Sequence, residues 1–206
     1  MVFPTRLFLL RHGEVEQRYH RIFGGRIDME LSPRGHEQAE ALAKYVRRRP
    51  LEALYCSPMR RALQTMAPLA PHCPTPAVIK PEFHEIDFGD WTGLTWEEVH
   101  RRYNVSAFVW LDQIERGAIP NAETGSMARS RIEPTLRQIV AAHVGQSVGI
   151  VCHGGVIRVM LSILLDLPLP RMGSFEIDYA SFTHVEHHQH KTEVMVLNLT
   201  PWRDLA

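Results

Sequence analysis

The chain has 206 residues, of which 45% are hydrophobic and 22% charged, and its 23 basic and 23 acidic residues give a formal net charge of zero. These values predict one globular domain over residues 1–206 and exclude an intrinsically disordered chain. Because proteins that bind nucleic acid or anionic lipid usually carry a basic excess, both classes of partner are disfavoured.

The first half of the chain alternates between short apolar runs and helix-start signals. Its predicted elements are, in order, a strand over residues 5–10, a helix capped by Ser32 with Pro33 in its first turn, a strand over residues 51–56, a helix started by Ser57 and Pro58, and a short strand over residues 77–80. This alternation is typical of a parallel sheet whose faces are covered by helices.

The second half begins with a less regular segment and then resumes the alternation. Thr95 and Glu98 form a capping-box pattern, and the chain from there to Gly117 is mostly helical and rich in aromatic residues. The later predicted elements are an amphipathic helix over residues 126–144 that is bent or broken near Pro134, a buried strand over 146–152, a helix over 156–165, and two strands over 177–186 and 193–199.

Together these elements predict an α/β fold with three layers, α/β/α, around a mostly parallel central sheet. Residues 81–127 fit the alternation poorly, and we expect them to form a helical insertion over the active-site end of the sheet. The cysteines Cys56, Cys73 and Cys152 lack the spacing of a metal site or a disulfide framework. No apolar run suits a signal peptide or a membrane span, so we expect a cytoplasmic protein.

Candidate reactive residues follow two of the predicted strands directly. In open α/β sheets, ligands bind outside the carboxyl ends of the strands. His12 and His153 each follow an apolar strand and are each followed by glycine, and an arginine pair, Arg60 and Arg61, lies just after the strand over 51–56. Glu85 lies in a loop rich in glycine and aromatic residues. We therefore expect these groups to meet at one edge of the sheet.

Several short motifs carry the same residues in a fixed order along the chain. They are Arg11-His12-Gly13-Glu14; Phe23, Gly25, Asp28, Leu31-Ser32 and Gly35; residues 57–65; Glu85, Gly89 and Gly93; residues 120–124; and His153-Gly154-Gly155. These motifs resemble those of the histidine phosphatase superfamily, in its phosphoglycerate-mutase-like branch. The pattern of residues 120–124 departs from the family at Ala122, where glycine is usual.

The resemblance implies a phosphoryl transfer without metal or other cofactor. His12 is the implied nucleophile, and the carbonyl of Gly13 fixes its tautomer. Arg11 and one arginine of the pair that follows Ser57 are the implied phosphate ligands, with Arg61 favoured and Arg60 held as its neighbour. Two further implied catalytic groups are His153, which in its protonated form donates to the phosphoryl oxygens, and Glu85, the general acid and base.

A phosphatase acting on a small phosphorylated metabolite is favoured over a mutase. The interval from Glu85 to His153 is 68 residues, which is short for the insertion that mutases of this family carry. The expected substrate-binding residues are Arg18, Gly24, Gly25, Arg60 and Gly154. With Arg21 and Arg26, these arginines predict a locally cationic mouth suited to a strongly anionic phosphate ester. Two alternatives stay open: a cofactor-dependent phosphoglycerate mutase, and a family member that binds a phosphorylated ligand without turnover.

Three other groups of residues have structural interpretations. Glu14 is expected to orient a nearby arginine. The aromatic residues Trp91, Trp96, Phe108 and Trp110 are expected to form the core of the insertion, with one or two of them at the pocket. Histidines of the segment 184–190 are expected to lie in a solvated hairpin and not to form a metal site.

Overall fold

The computed structural model describes residues 3–205 and has a mixed sheet at its centre. The strands are β1 (Thr5–Arg11), β2 (Ala53–Cys56), β3 (Val78–Ile79), β4 (Ser147–Cys152), β5 (Phe182–His187) and β6 (Thr192–Leu199). Their order across the sheet is β3-β2-β4-β1-β5-β6. The pairs β3-β2, β2-β4 and β4-β1 are parallel, whereas β5 is antiparallel to both β1 and β6.

Helices cover the sheet on both faces. They are α1 (Pro33–Val46), α2 (Arg60–Met66), α3 (Trp96–Tyr103), α4 (Trp110–Glu115), α5 (Gly125–Ala142), α6 (Gly154–Leu165) and α7 (Pro201–Asp204). Side chains alternate along β1, so Leu7 and Leu9 pack in the core with α5 and α6, while Phe8 and Leu10 pack in the core with α1. The predicted three-layer fold is confirmed.

Local sequence explains where the helices begin. The Ser32 hydroxyl accepts a hydrogen bond from the Gly35 amide, with Pro33 as the first helical residue of α1. At the start of α3, Thr95 and Glu98 form both hydrogen bonds of the predicted capping box.

Some predicted boundaries were wrong. α2 begins at Arg60 and not at Pro58, because the hydroxyl of Ser57 lies 2.7 Å from His153 instead of capping the helix. The helix α5 runs through Pro134 without a break. β5 begins at Phe182, since the residues before it form a turn against the end of β1.

The segment between β3 and α5 contains short 3-10 turns, α3 and α4, and it lies beside the carboxyl ends of the central strands. Trp91 is buried in its core, where it packs against Phe23 and Tyr103. None of the helices described within residues 3–205 is both long and apolar enough to cross a membrane.

Candidate active site

The parallel pairing of β1 with β4 brings the two candidate histidines together. Arg11 at the end of β1 lies opposite Cys152 at the end of β4, and the next residue, His12, donates its amide to the Cys152 carbonyl at 3.0 Å. The ring centroids of His12 and His153 are consequently 5.2 Å apart. The sequence places these residues 141 positions apart, so the contact depends on the strand register.

His12 is held in one orientation and one tautomer. Its Nδ1 lies 2.8 Å from the Gly13 carbonyl, which can only accept, so Nδ1 carries the hydrogen and Nε2 carries the lone pair. The Nε of Arg61 donates to this Nε2 at 3.2 Å. Burial, together with the charges of Arg61 and Arg11, holds the pKa of His12 well below its ordinary value. The imidazole is therefore neutral at neutral pH and can act as a nucleophile.

Arg61 lies in the first turn of α2 and is almost completely buried. Its guanidinium donates to the carbonyls of Ile27 at 2.7 Å and of Gly25 at 3.2 Å, and burial lowers its pKa. The neighbouring Arg60 points away from this cluster, where it pairs with Glu30 at 2.6 Å. Of the two adjacent arginines, the structure brings only Arg61 to the histidines.

His153 lies beneath the surface of the site with no solvent exposure. Its Nδ1 accepts a hydrogen bond from Arg61 Nε at 3.2 Å, so its Nε2 carries the hydrogen and donates to the Ser57 hydroxyl at 2.7 Å. Burial, followed by the charges of Arg61 and His12, holds the pKa of His153 well below its ordinary value. The structure without ligand thus has a neutral His153, whereas the donor role expected from the sequence needs a proton that an arriving anion would have to stabilise.

Glu85 faces the histidines from the inserted segment. Its carboxylate accepts hydrogen bonds from the amides of Ile86 at 2.9 Å and of Gly155 at 3.3 Å. A Cβ atom at Gly155 would lie 2.5 Å from Glu85 Oε1, so a residue with a side chain here would displace the carboxylate. The glycine of the His-Gly-Gly motif therefore leaves room for Glu85.

An ion pair that the sequence reasoning missed supports the Glu85 loop. Arg131 in α5 forms two short contacts with the carboxylate of Glu123, at 2.6 and 2.7 Å, and also donates to the carbonyls of Glu82 and His84. Glu123 belongs to the motif at residues 120–124, which was the available signal, although nothing local to it indicated Arg131.

The site opens into a cavity of about 320 Å³, and His153 lies beneath its lining rather than on it. Arg11, His12, Arg61, Glu85, Gly24, Gly25 and Gly154 all line it, as expected from the sequence. Arg158 and Tyr179 line it as well and were missed. The guanidinium of Arg11 lies 4.1 Å from the centroid of the Tyr179 ring, and burial next to Arg11 lowers the pKa of Arg158 to about 10. Arg158 follows His153 on α6, but a lone helical arginine gave no signal.

The outer arginines do not contribute free charge to the cavity. Each lies beside a carboxylate: Arg18 by Glu16 at 3.0 Å, Arg21 by Glu97 at 2.6 Å and Arg26 by Asp87 at 4.0 Å. None of them lines the cavity, and neither does Arg60. The locally cationic mouth expected from the sequence is reduced to Arg11, Arg61 and Arg158, because the structure brings distant acidic residues to the other arginines.

Two structural expectations also change. Glu14 accepts a hydrogen bond from the Ser32 hydroxyl at 2.9 Å and has no arginine partner among the described residues. Trp91 is buried as expected, but Trp96, Phe108 and Trp110 all line the cavity, and Phe108 is 80% exposed.

In the hairpin of β5 and β6, His184 and His188 lie beside Glu186, and the described residues hold no cluster of three side chains that could bind a metal ion.

Comparison with known proteins gives a consistent result. Residues 7–200 match a family model described as the histidine phosphatase superfamily, branch 1. Phosphoserine phosphatase 1 of Hydrogenobacter thermophilus is 29% identical over 95% of this chain and 93% of its own length. Glucosyl-3-phosphoglycerate phosphatase of Mycolicibacterium vanbaalenii is 32% identical over 80% of this chain and 76% of its own length. A solved structure of mycobacterial glucosyl-3-phosphoglycerate phosphatase superimposes with a TM-score of 0.85 at 26% identity, covering 94% of this chain and 98% of that one.

Proposed function

The chain belongs to the histidine phosphatase superfamily, and we propose that it hydrolyses a small phosphate monoester through a phosphohistidine intermediate on His12. The predicted superfamily is confirmed by the matching family model, and the named relatives are phosphatases, as the sequence motifs predicted. The substrate and the roles of individual residues are proposals that depend on the geometry of the cavity.

The observation that carries the proposal is the fixed tautomer of His12. With Nδ1 donating to the Gly13 carbonyl, the lone pair lies on Nε2, where it accepts a hydrogen bond from Arg61 Nε that an arriving phosphoryl group would have to replace. The low pKa of His12 keeps this nitrogen unprotonated at neutral pH, so no general base is needed to activate it.

Arginines on two sides of His12 supply the charge that phosphoryl transfer requires. Arg11 and Arg61 both line the cavity, and planar guanidinium groups bind the equatorial phosphoryl oxygens while charge develops on them. Within residues 3–205, the buried Nε of Arg11 has no hydrogen-bond partner, which leaves its hydrogen available to an anion. On binding of the phosphate dianion, His153 Nδ1 would take up a proton from solvent and donate to the anion, in place of the hydrogen bond that it accepts from Arg61.

Glu85 is proposed to move the proton in both half-reactions. In the first, His12 Nε2 forms a bond to phosphorus, the ester P–O bond breaks, and protonated Glu85 gives its proton to the leaving alkoxide. In the second, the Glu85 carboxylate takes a proton from water, the water oxygen attacks phosphorus, and the N–P bond breaks to release inorganic phosphate. The acid is restored and His12 is again neutral.

The proposal is tested by replacing His12 with alanine and measuring phosphate release from a generic aryl phosphate. Loss of turnover by at least about 10⁴-fold is expected, as for other nucleophile deletions. Retained activity in the variant would contradict the mechanism. A matched variant is His36→Ala, because His36 lies on α1 and does not line the cavity; it should keep full activity.

The two alternatives give different outcomes in the same preparation. A phosphoglycerate mutase would convert 3-phosphoglycerate to 2-phosphoglycerate in the presence of a bisphosphate primer without net release of phosphate. A protein that only binds phosphorylated ligands would bind inorganic phosphate and release none from any ester.

A further inference from the structure

We propose that the cavity binds the alcohol part of its ester through an aromatic or flat apolar group, an inference that rests on the proposed function. The phosphoryl group would lie on the polar floor of the cavity, against His12 and Arg61. The remainder of the substrate would then contact an aromatic wall, formed by Tyr19 of the N-terminal loop and by Phe88, Trp96, Phe108 and Trp110 of the inserted segment.

The aromatic wall offers ring faces and edges in a small space. Trp96 and Phe108 meet edge to face with centroids 5.2 Å apart, and Phe88 and Trp110 meet in the same way at 5.3 Å. A planar group of the substrate can extend such offset and edge-to-face contacts. Because the whole cavity is about 320 Å³, it suits a phosphoryl group and one ring better than a larger ligand.

The exposure of the aromatic wall is otherwise unexplained by packing. Phe108 is 80% exposed and Trp96 is 36% exposed, although Trp96 is the first residue of α3 and Phe108 the middle residue of a 3-10 turn. Neighbouring exposed apolar side chains beside a polar site are typical of a ligand-binding surface. A ligand ring seated here would cover both side chains, which the fold itself leaves in water.

The charges of the cavity disfavour a second anionic group on the substrate. Arg11 and Arg61 are committed to the phosphoryl group, and the guanidinium of Arg158 already donates to the carbonyls of Gly154 at 3.2 Å and of Phe175 at 2.9 Å. On the same side, Glu176 and Asp178 also line the cavity. A carboxylate on the alcohol part would therefore meet Glu176 and Asp178, and Arg158, already held by backbone carbonyls, is the one lining cation among the described residues outside the phosphate cluster.

The test compares the binding of two phosphonates, whose P–C bond the enzyme cannot hydrolyse: 2-phenylethylphosphonate and propylphosphonate. Calorimetric titration of the full chain should give a dissociation constant at least about tenfold lower for the phenyl compound, since a largely buried ring gains this much. Binding, unlike turnover, does not depend on the proposed mechanism. Hydrolysis of 2-phenylethyl phosphate, measured separately, tests the proposed function alone.

Phe108→Ala is the informative variant, because so exposed a side chain contributes little to folding. It should reduce the tenfold preference by roughly threefold or more. The matched control is Phe3→Ala, which removes another exposed phenylalanine at the opposite end of the sheet and should leave the preference intact. Equal binding of the two phosphonates by the wild-type chain would overturn the inference. So would tighter binding of 4-phosphonobutanoate, which adds only a carboxylate, than of the phenyl compound.

Discussion

The floor and the aromatic wall of the cavity are built in opposite ways. On the floor, His12, Arg61 and His153 are buried, joined by hydrogen bonds and fixed at the ends of central elements of the fold. The aromatic wall comes from the N-terminal loop and the inserted segment, and its outermost member, Phe108, is mostly in water. We propose that the ends of the central elements hold the phosphoryl group, that the inserted segment adds Glu85, and that its aromatic residues can vary the substrate without disturbing the floor.

The largest loss of activity is expected from replacing Glu85, which belongs to the inserted segment but lies at the floor. For an alkyl phosphate, Glu85→Gln should lower kcat by about 10²–10⁴-fold, because the alkoxide leaves without a proton. For an aryl phosphate with an acidic leaving group the loss should be much smaller. Glu97→Gln is the control, since Glu97 is exposed and pairs with Arg21. An equal loss for both esters would show that Glu85 does not protonate the leaving group.

A second test compares two adjacent arginines in the first turn of α2, one at the floor and one at the surface. Arg61→Lys should lower kcat/KM by roughly 10²–10³-fold, because lysine cannot reach two phosphoryl oxygens and two backbone carbonyls at once. Arg60→Lys should change kcat/KM little, because Arg60 pairs with Glu30 at the surface. Steady-state kinetics on one aryl phosphate measures both variants. A larger loss in the Arg60 variant would reverse the assignment of the phosphate ligand.

A third test concerns the ion pair of Glu123 and Arg131, which holds the Glu85 loop next to the floor. Glu123→Gln should lower the free energy of unfolding by about 3 kcal/mol, because it leaves the nearly buried Arg131 without its counter-ion. It should also lower kcat more than it raises KM, since the Glu85 loop loses its support. The control is Glu133→Gln on α5, the helix that carries Arg131. Because its partner Arg137 is exposed, this substitution should lower the free energy of unfolding by less than about 1 kcal/mol. Urea denaturation and kinetics together check both parts, and similar destabilisation by the two variants would contradict the account.

The smallest effect is a pH dependence of stability to which the two fully buried histidines of the floor should contribute most, since His84, His184 and His187, whose pKa values burial also lowers, are only partly buried. The pKa values of His12 and His153 are held well below the ordinary value of about 6.5 in the folded chain. Below that pH the two histidines are protonated in the unfolded chain but stay neutral in the folded chain. The free energy of unfolding should therefore fall as pH decreases. Each histidine contributes up to about 1.4 kcal/mol per pH unit, and none of this loss applies above the unfolded value.

Urea denaturation at pH 7 and pH 5.5 measures this loss in the wild-type chain and in His153→Gln. The variant should lose less stability between the two pH values. Identical losses would show that His153 is not kept neutral by burial.

The floor could be predicted from sequence because its residues directly follow short apolar runs or lie in ordered motifs. The positions of His12 and His153 after two such runs were enough to place them at one edge of a parallel sheet. The motif already favoured Arg61 over Arg60, and the structure gives the physical reason: adjacent residues on a helix point in different directions, so only Arg61 reaches the histidines.

The mouth of the cavity could not be predicted in the same way. Arg21 is neutralised by Glu97, which lies 76 positions further along the chain, and such surface pairs leave no trace in local sequence. The sequence also left open which of the four aromatic residues assigned to the core of the inserted segment lie at the cavity, because that segment consists of short turns without a clear apolar periodicity. The expected cationic mouth was therefore wrong. Arg11 and Arg61, which were expected as phosphate ligands, do line the cavity.

The most direct test of the central claim is chemical trapping of the intermediate. The full chain is mixed with a phosphate ester labelled in the phosphoryl group and quenched within the first turnover. We expect a covalent label that is labile to acid and stable to alkali, as a phosphoramidate is, located on His12 by peptide mapping and absent from His12→Ala. Label on another residue, or rapid hydrolysis by the wild-type chain with no label at any quench time, would contradict the account.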